Sequence, residues 1–468
     1  MSGLLIKNGR IVTDSAVFDG DILIGDGKIR AVEAGLERPG PDTGIIDAAG
    51  LYVLPGGIDP HVHMALPLTG GIESADDFES GTTAALAGGT TSIIDFVTPG
   101  RSQSLIEALD ERKALAQKSL CDYGLHMSIT AWNEAIAAEM ERCVEGEGIT
   151  SFKVYLAYKE TVGLEDRELI SAMAAAARLK VLVTAHCEHG DVVGYLQKKY
   201  IRQGRTGPEY HPLSRPPEVE REAVCRALLL AKTTNCPLYV VHVSTAEAAA
   251  EIERAREAGQ QVLAETCPHY LLLDESRYRL PGFEGARYVM SPPLRANAHL
   301  AALWKACARG VIQVVATDHC PFHFKGQKEM GRGDFTRIPN GVAGVENRLS
   351  LLYTYGVLEN KISLRQFVDL TATGPARIFG LYPRKGTIRA GADADLVLWD
   401  PHQQDTISAQ THHQHCDTNI YEGFPIKGKP HLVISNGKPA YQEGRLLLEA
   451  GSGRYLPRKI GNFSLDSC

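Results

Sequence analysis

The sequence has no long hydrophobic segment, no block of a single charge sign and no paired cysteine motif. None of its apolar runs reaches the length of about 18 residues that a membrane-spanning helix needs. Its 49 basic and 56 acidic residues are interspersed and give a net charge of −7, which argues against nucleic acid or an anionic membrane as the main partner. The ten cysteines are scattered without a C-x-x-C pair, so they indicate reduced thiols rather than a disulfide scaffold.

The first residues also lack a recognisable secretion signal. The opening MSGLLIKNGRIVTD contains no basic segment followed by an apolar stretch of signal length. Together with the unpaired cysteines, this pattern predicts a cytoplasmic protein. The 468 residues, of which 44% are hydrophobic and 22% charged, are ample for a large packed core.

The two ends of the chain share a β-rich pattern. LLIKNGRIV, GDILIGDGKIRAV and GLYVLPG are separated by Asn-Gly and Asp-Gly turn signals near the start. Similar β character returns in GTIRAGADADLVLWD and HLVISNGKPAY near the end. We therefore predict a small β-sandwich domain formed from both chain ends, residues 1–54 and 384–468.

The central segment has a different pattern, in which apolar strands alternate with helix-like stretches such as SLIEALDERKALAQK and TAEAAAEIERAREAG. The predicted strands lie in GGIDPHVH, TTSIIDFV, YGLHMSIT, TSFKVYL, VLVTAHC, PLYVVHV, QVLAETC and IQVVATD. Eight such units over roughly 330 residues are typical of a (β/α)₈ TIM-like barrel. The predicted fold class is therefore α/β, with a catalytic barrel over residues 55–383.

A pair of histidines in the first predicted strand can bind a metal ion. His61 and His63 are one residue apart, and alternate side chains of a strand share a face. Two imidazoles on one face suit a zinc-like ion, but an isolated H-x-H pair is a weak signal. A second pair, His413 and His415, lies in the polar stretch THHQHC beyond the predicted barrel, and we interpret it as surface.

Three other predicted strands also end in residues that can bind a metal ion. His186 closes the fifth strand, His242 the sixth and Asp318 the eighth. The carboxyl ends of barrel strands meet at one face of the molecule, where barrel enzymes place their active sites. A structural role explains each histidine alone, but their joint placement predicts a metal centre at this face.

Lys153 is the unusual residue of this group. It lies inside the apolar run FKVYL of the fourth predicted strand, although lysine is almost never fully buried unless it is paired. One interpretation is that its ammonium reaches solvent at the strand end. The other is that burial lowers its pKa, so that the neutral amine adds carbon dioxide and becomes an anionic carbamate. Such a group can bridge two metal ions about 3.5–4 Å apart.

The order of these residues along the strands resembles the amidohydrolase superfamily in its binuclear form with a carboxylated lysine. More narrowly, the chain resembles the dihydropyrimidinase/hydantoinase family over nearly its whole length. The motifs that carry this resemblance are GGIDPHVHM, SFKVYLAYK, SPPLR, ATDHCPF, PNGVAGVENR and GTIRAGADADLVLWDP. Val62 departs from the pattern, because we expect threonine to be commoner there; its side chain should point away from the metals.

The resemblance implies a site with two divalent metal ions, expected to be Zn²⁺, with Mn²⁺, Ni²⁺ or Co²⁺ as alternatives. One ion would be held by two histidines and an aspartate, the other by two histidines, and both by an N6-carboxylated lysine and a hydroxide. The implied ligands are, in that order, His61, His63 and Asp318, then His186 and His242, then Lys153.

The resemblance also implies the substrate contacts. Tyr158 would hydrogen-bond the reacting carbonyl, and main-chain groups at Ser291 and Asn340 would hold the amide edge of the ring. Asp318 would take the proton of the attacking hydroxide and pass it to the leaving ring nitrogen. Ser291 precedes two prolines and Asn340 begins an Asn-Gly turn signal, so local chemistry alone does not single them out. Tyr155 is expected to pack instead of binding substrate.

The implied function is hydrolytic ring opening of dihydropyrimidines or 5-substituted hydantoins to N-carbamoyl amino acids, by a homotetramer. An allantoinase or a dihydroorotase would share the metal ligands, but SPPLR together with SFKVYLAYK favours the hydantoinase side. A non-catalytic scaffold relative is a third alternative. Such relatives have lost metal ligands, whereas all six are present in this sequence.

Overall fold

The computed structural model describes residues 3–68, 71–461 and 463. The strands are β1 (Leu4–Val12), β2 (Val17–Gly25), β3 (Lys28–Glu33), β4 (Gly44–Asp47), β5 (Tyr52–Pro55), β6 (Gly57–Val62), β7 (Pro67–Leu68), β8 (Ile72–Glu73), β9 (Thr90–Val97), β10 (Asp122–Ser128), β11 (Ser151–Tyr155), β12 (Leu182–His186), β13 (Leu238–Val240), β14 (Val262–Thr266), β15 (Val314–Val315), β16 (Leu396–Thr406), β17 (Pro425–Ser435), β18 (Lys438–Gln442) and β19 (Arg445–Leu446).

The α-helices are α1 (Phe78–Ala87), α2 (Leu105–Ala116), α3 (Glu134–Glu147), α4 (Asp166–Leu179), α5 (Gly190–Arg202), α6 (Tyr210–Leu213), α7 (Pro217–Thr234), α8 (Ala246–Glu257), α9 (Pro268–Leu272), α10 (Asn297–Ala308), α11 (Arg348–Leu352), α12 (Leu364–Val368) and α13 (Gly374–Ile378). Shorter 3₁₀ segments lie at Glu275–Arg279, Pro281–Tyr288, Lys328–Gly331 and Phe335–Arg337, and π-helical turns at Tyr353–Val357 and Asp369–Thr373. Within the described residues, no helix has the length and apolar character needed to cross a membrane.

One sheet is built from both ends of the chain. Its strands run in the order β19-β18-β17-β16-β5-β1-β2-β3, and β4 pairs with β1. The two ends join where β16 pairs antiparallel with β5, with Leu396 opposite Pro55. Its inner face forms a core of its own, which includes Ile11, Ile22 and Leu398. The predicted β structure from both ends is thus confirmed, while its exact limits, 1–54 and 384–468, stay a prediction.

The second sheet is the barrel. Its parallel strands run in the order β15-β14-β13-β12-β11-β10-β9-β6. The sheet closes where Val62 forms a parallel bridge with His319, and the His63 amide donates to the His319 carbonyl at 2.8 Å. The strands are buried on both faces because helices cover the outside of the barrel. Their sequences are therefore largely apolar, and this made them predictable. All eight predicted strands are present, and the predicted barrel is confirmed.

A buried ionic cluster joins the amino-terminal end of the barrel to the β-rich part. Asp122 begins β10, and Asp393 and Asp395 precede β16. These three carboxylates lie close enough together to hold a cation. The ammonium of Lys385 lies among them, 2.6 Å from Asp122 and 3.3 Å from Asp393, and it also pairs with Asp395. Lysine is therefore the cation of this cluster, which lies at the opposite end of the barrel from the site described below.

Candidate active site

The carboxyl ends of the barrel strands bring the predicted ligands together at one face. They come from the end of β6, from β11, from the end of β12 and from the segments that follow β13 and β15. These residues are His61, His63, Lys153, His186, His242 and Asp318. Because parallel strands end at the same face of a barrel, residues up to about 250 positions apart in the chain become neighbours.

Two histidines and one aspartate converge on a single point. Oδ1 of Asp318 lies 3.0 Å from Nε2 of His61 and 3.1 Å from Nε2 of His63. The three potential ligand atoms all lie within 4.8 Å of one another. Burial favours protonation of the carboxyl group, but the two imidazoles hold the pKa of Asp318 well below its usual range. An ionised oxygen and two nitrogens in this arrangement suit a divalent cation.

A second pair of histidines lies beside the first group. Nδ1 of His186 faces Nε2 of His242 at 2.9 Å, and the ring centroids of His61 and His242 are 5.6 Å apart. Burial is the main cause that holds the pKa of His242 well below its usual value, and electrostatic repulsion from His186 is the second. Burial also lowers the pKa of His186, and a lowered pKa favours the neutral imidazole, whose lone pair metal binding requires.

The environment of Lys153 decides between the two interpretations of this residue. Its side chain is only 1% exposed, so the interpretation that it reaches solvent is wrong. Its Nζ lies 5.0 Å from the ring centre of Phe96 and 5.3 Å from that of Tyr155. No carboxylate of the described residues forms an ion pair with it, and burial lowers its pKa to about 8. The neutral amine, the form that can add carbon dioxide, is therefore more populated near neutral pH than it is in an ordinary lysine.

Three residues at this face have strained backbone conformations. Asp318 and His242 have φ values of 50° and 39°, in the left-handed region that non-glycine residues rarely adopt. Tyr158, in the segment after β11, has a φ of 58°. Strain of this kind persists where the surrounding structure imposes it, and it is concentrated at functional sites.

Carboxylates that the sequence analysis did not single out orient the imidazoles. Nδ1 of His61 hydrogen-bonds Glu265, and Oε2 of Glu265 accepts a hydrogen bond from the Tyr239 hydroxyl at 2.8 Å. Nε2 of His186 lies 2.9 Å from Oε2 of Glu188. A carboxylate on the second ring nitrogen fixes the tautomer and directs the first nitrogen to the metal. A charged residue inside the apolar seventh strand, QVLAETC, was the signal that could have identified Glu265.

The predicted substrate-contact residues also lie at this face. The Tyr158 ring centroid is 5.2 Å from that of His186. The segment of Asn340 runs beside His319, since His319 bridges Val342 and follows Asp318 directly. The Gly341 amide donates a hydrogen bond to the Val289 carbonyl at 3.1 Å, so the segment of Asn340 is joined to the segment of Ser291.

The hydrogen bonding and packing of three side chains, those of Ser291, Asn340 and Tyr155, bear on their predicted roles. Oδ1 of Asn340 is buried and makes no hydrogen bond within the part of the chain that the structure describes, whereas the Ser291 side chain interacts with the Tyr158 hydroxyl. Tyr155 lies with its ring centroid 6.5 Å from that of Tyr158, and it packs against both Tyr158 and Lys153.

The histidine pair in THHQHC belongs to neither of the potential metal-binding groups among the described residues. His415 is exposed, in agreement with the interpretation as surface, but its backbone amide donates to Oδ1 of Asp76 at 2.8 Å. His413 is half-buried and lies 2.9 Å from Glu346, so the surface interpretation is wrong for this residue. The other oxygen of Asp76 is 3.0 Å from Nε2 of His319, and the segment therefore supports the strand end that holds Asp318.

Comparison with known proteins agrees with the fold and the site. Residues 52–440 match the amidohydrolase family, and the chain belongs to this family. Within it, the chain groups with hydantoinases and dihydropyrimidinases. It is 47% identical to the D-hydantoinase of Geobacillus stearothermophilus over 99% of this chain and 98% of that protein. It is 45% identical to dihydropyrimidinase 2 of Caenorhabditis elegans over 97% of this chain and 88% of that protein.

A solved structure gives the same result. The crystal structure of dihydropyrimidinase from Brevibacillus agri NCHU1002 superposes with a TM-score of 0.96 and 45% identity, covering 98% of this chain and 99% of that chain. The resemblance noted in the sequence is therefore confirmed, together with the predicted fold class. Membership of the amidohydrolase family implies a binuclear metal centre, and the convergent nitrogen and oxygen atoms described above fit such a group.

Proposed function

We propose that this protein hydrolyses the ring of cyclic imides and ureides, namely 5-substituted hydantoins and dihydropyrimidines, to N-carbamoyl amino acids. The observation that carries the proposal is the cluster of Asp318 with His61 and His63, next to a buried lysine that forms no ion pair among the described residues, in a chain whose relatives are named hydantoinase and dihydropyrimidinase. The substrate is a small cyclic molecule, and the reaction takes place at the mouth of the barrel.

The proposed cofactors are two divalent metal ions, with Zn²⁺ as the leading candidate. His61, His63 and Asp318 would hold one ion, and His186 and His242 the other. Lys153 would bridge them as an N6-carboxylate, formed when its neutral amine attacks carbon dioxide and releases one proton. Its burial and its pKa of about 8 support this assignment. When bound, the two ions would supply hydroxide at neutral pH and polarise the reacting carbonyl.

The residues of the chain would direct the proton and the charge. Asp318 would accept the proton of the attacking group and deliver it to the leaving ring nitrogen, and the low pKa of its carboxyl keeps it ionised before the reaction. The Tyr158 hydroxyl would donate a hydrogen bond to the oxygen on which negative charge develops. Main-chain groups at Ser291 and Asn340 would hold the amide edge of the substrate.

The alternatives are less well supported. An allantoinase or a dihydroorotase would need the same ligands, but the relatives reported above carry the hydantoinase and dihydropyrimidinase names. A scaffold without activity would not need six convergent ligand residues. We further propose that the protein is cytoplasmic and binds neither nucleic acid nor membranes. We also propose that it forms a homotetramer, and analytical ultracentrifugation would test this oligomeric state.

The substrate proposal has a direct test. Metal-loaded protein is expected to open both dihydrouracil and 5-phenylhydantoin, and kcat/KM is measured for each beside allantoin and dihydroorotate. A preference for dihydrouracil would indicate a role in pyrimidine breakdown, and a preference for the aryl hydantoin would indicate a hydantoinase. Turnover of allantoin or dihydroorotate alone would contradict the proposal.

Tyr158→Phe is expected to keep both metal ions and to lower kcat by about 10²–10³-fold, because one hydrogen bond to the developing oxyanion is lost. Elemental analysis and steady-state kinetics measure the two quantities. Tyr155→Phe is the matched comparison, since Tyr155 lies three residues earlier and packs beside Tyr158. An equal loss in both variants, or loss of metal from Tyr158→Phe, would show that Tyr158 has a different role.

A further inference from the structure

Among the described residues, the buried Lys328 ammonium makes hydrogen bonds to main-chain oxygens alone. It begins the 3₁₀ segment Lys328–Gly331, and its side chain is 1% exposed. Its Nζ lies 2.7 Å from each of three carbonyl oxygens, those of Val289, Pro339 and Gly341. An ammonium group has three N–H donors, so each donor has one acceptor and the cation is fully satisfied.

The three carbonyls belong to the two proposed recognition segments. Val289 lies two residues before Ser291, while Pro339 and Gly341 are the neighbours of Asn340 on either side. The Lys328 ammonium therefore bonds to both segments at once and sets the distance between them. These segments are about 50 residues apart in the chain, so nothing local holds them at a common spacing.

Other contacts fix the outer side of each segment, and one main-chain hydrogen bond joins the two segments directly. Nε2 of His211 lies 2.7 Å from the Met290 carbonyl, which fixes the first segment to its own side of the site. The Cys320 amide donates to the Val342 carbonyl at 3.0 Å, which fixes the second segment to the strand end of Asp318. Between the two segments, the Gly341 amide donates to the Val289 carbonyl, the same oxygen that Lys328 binds.

The charge of Lys328 is costly where it lies. Burial lowers its pKa to about 7, and no carboxylate of the described residues forms an ion pair with it. The groups that face it are otherwise the thiols of Cys320 and Cys416 and the ring of Phe322, whose centre is 5.7 Å away. An apolar side chain would fill this space without desolvating a charge, so packing alone does not explain a lysine.

We propose that Lys328 is a positioning residue for substrate binding: its ammonium holds the Ser291 and Asn340 main chains at the spacing that the amide edge of the substrate requires. It does not touch the substrate or the metal ligands. This inference rests on the proposed function, since the two segments are recognition segments only if a cyclic amide binds between them.

The test compares Lys328→Met with Lys325→Met in metal-loaded protein. Lys325 is the matched control because it lies three residues earlier and is exposed. Lys328→Met is expected to raise KM for 5-phenylhydantoin or dihydrouracil by about tenfold or more, with kcat within about threefold of wild type and two metal ions retained. A residue that served stability alone would lower the melting temperature without changing KM. An unchanged KM in folded, metal-loaded Lys328→Met would overturn the proposal.

A second variant tests the proposal if Lys328→Met does not fold, and a second measurement tests it if the wild-type protein is inactive. Lys328→Gln keeps two N–H donors, so it is expected to fold if Lys328→Met does not, with a smaller rise in KM. If wild-type protein opens none of the rings, the proposed function fails, and hydrogen exchange then tests the positioning. Amides of residues 289–291 and 340–342 should exchange faster in Lys328→Met than in Lys325→Met. Equal exchange rates would overturn the inference independently of catalysis.

Discussion

Lys153→Ala is expected to lose metal and ring-opening activity together, with kcat/KM at least about 10³-fold lower than that of wild type. The physical reason is that the carbamate proposed on Lys153 is the anion shared by both metal ions. Without it, four neutral imidazoles and a single carboxylate remain to balance two divalent cations. Elemental analysis of metal per chain, made on the same sample as the kinetics, measures both effects.

The Lys153 prediction includes a rescue and a control. Acetate or propionate can occupy the space left by the shortened side chain and supply a carboxylate, so either acid is expected to restore part of the metal content and turnover of Lys153→Ala. Lys198→Ala is the matched control, because Lys198 is exposed on α5. It should behave as wild type and should not respond to the acids. Full metal content and wild-type turnover in Lys153→Ala would rule out the carbamate.

Asp318→Asn is expected to lower kcat by about 10⁴-fold, the upper end of the range for a residue that acts as both base and acid. The amide has the shape of the carboxylate and retains an oxygen where Oδ1 now lies, 3.0 and 3.1 Å from the two imidazoles. It cannot take up and release the proton, and it has no charge to hold the metal. Single-turnover kinetics separate the slow chemical step from substrate binding, and KM should change much less than kcat.

The Asp318 variant is distinguished from a general loss of structure by two comparisons. Asp110→Asn makes the same change on the exposed face of α2 and should leave kcat unaltered. Metal content should fall less in Asp318→Asn than in Lys153→Ala, because only one of the two ions has Asp318 as a proposed ligand. A variant that keeps more than about a tenth of wild-type kcat would show that another group carries the proton.

The barrel was predictable because parallel strands covered by helices are apolar over their whole length. Each of the eight strands therefore stands out between polar helices, and a polar residue at a strand end is conspicuous. This is how Lys153, His186 and His242 were found from sequence alone. The β strands from the two chain ends were predictable for a similar reason, since turn signals separate short β-rich runs.

Other parts of the site gave no such signal. Lys328 lies in the polar stretch GQKEMGR, which the sequence analysis did not single out, and the neighbouring Lys325 is exposed. Asp76 likewise lies in a loop rich in polar residues, yet it is buried against His319. Burial of a polar loop depends on what folds over it, which is a property of distant chain segments rather than of local composition.

The sequence by itself determined the class of fold, because strand periodicity is a local property, and the family, through motifs such as SFKVYLAYK and ATDHCPF. It also supplied the residues that we predict to bind metal. Only the tertiary structure decided which of these residues meet. It separated His61 and His63, which converge with Asp318, from His413 and His415, which do not form a site. It also established that Lys153 is sealed from solvent and forms no ion pair with the residues that the structure describes. Distances between side chains depend on barrel closure and on long-range packing, and no local pattern encodes them.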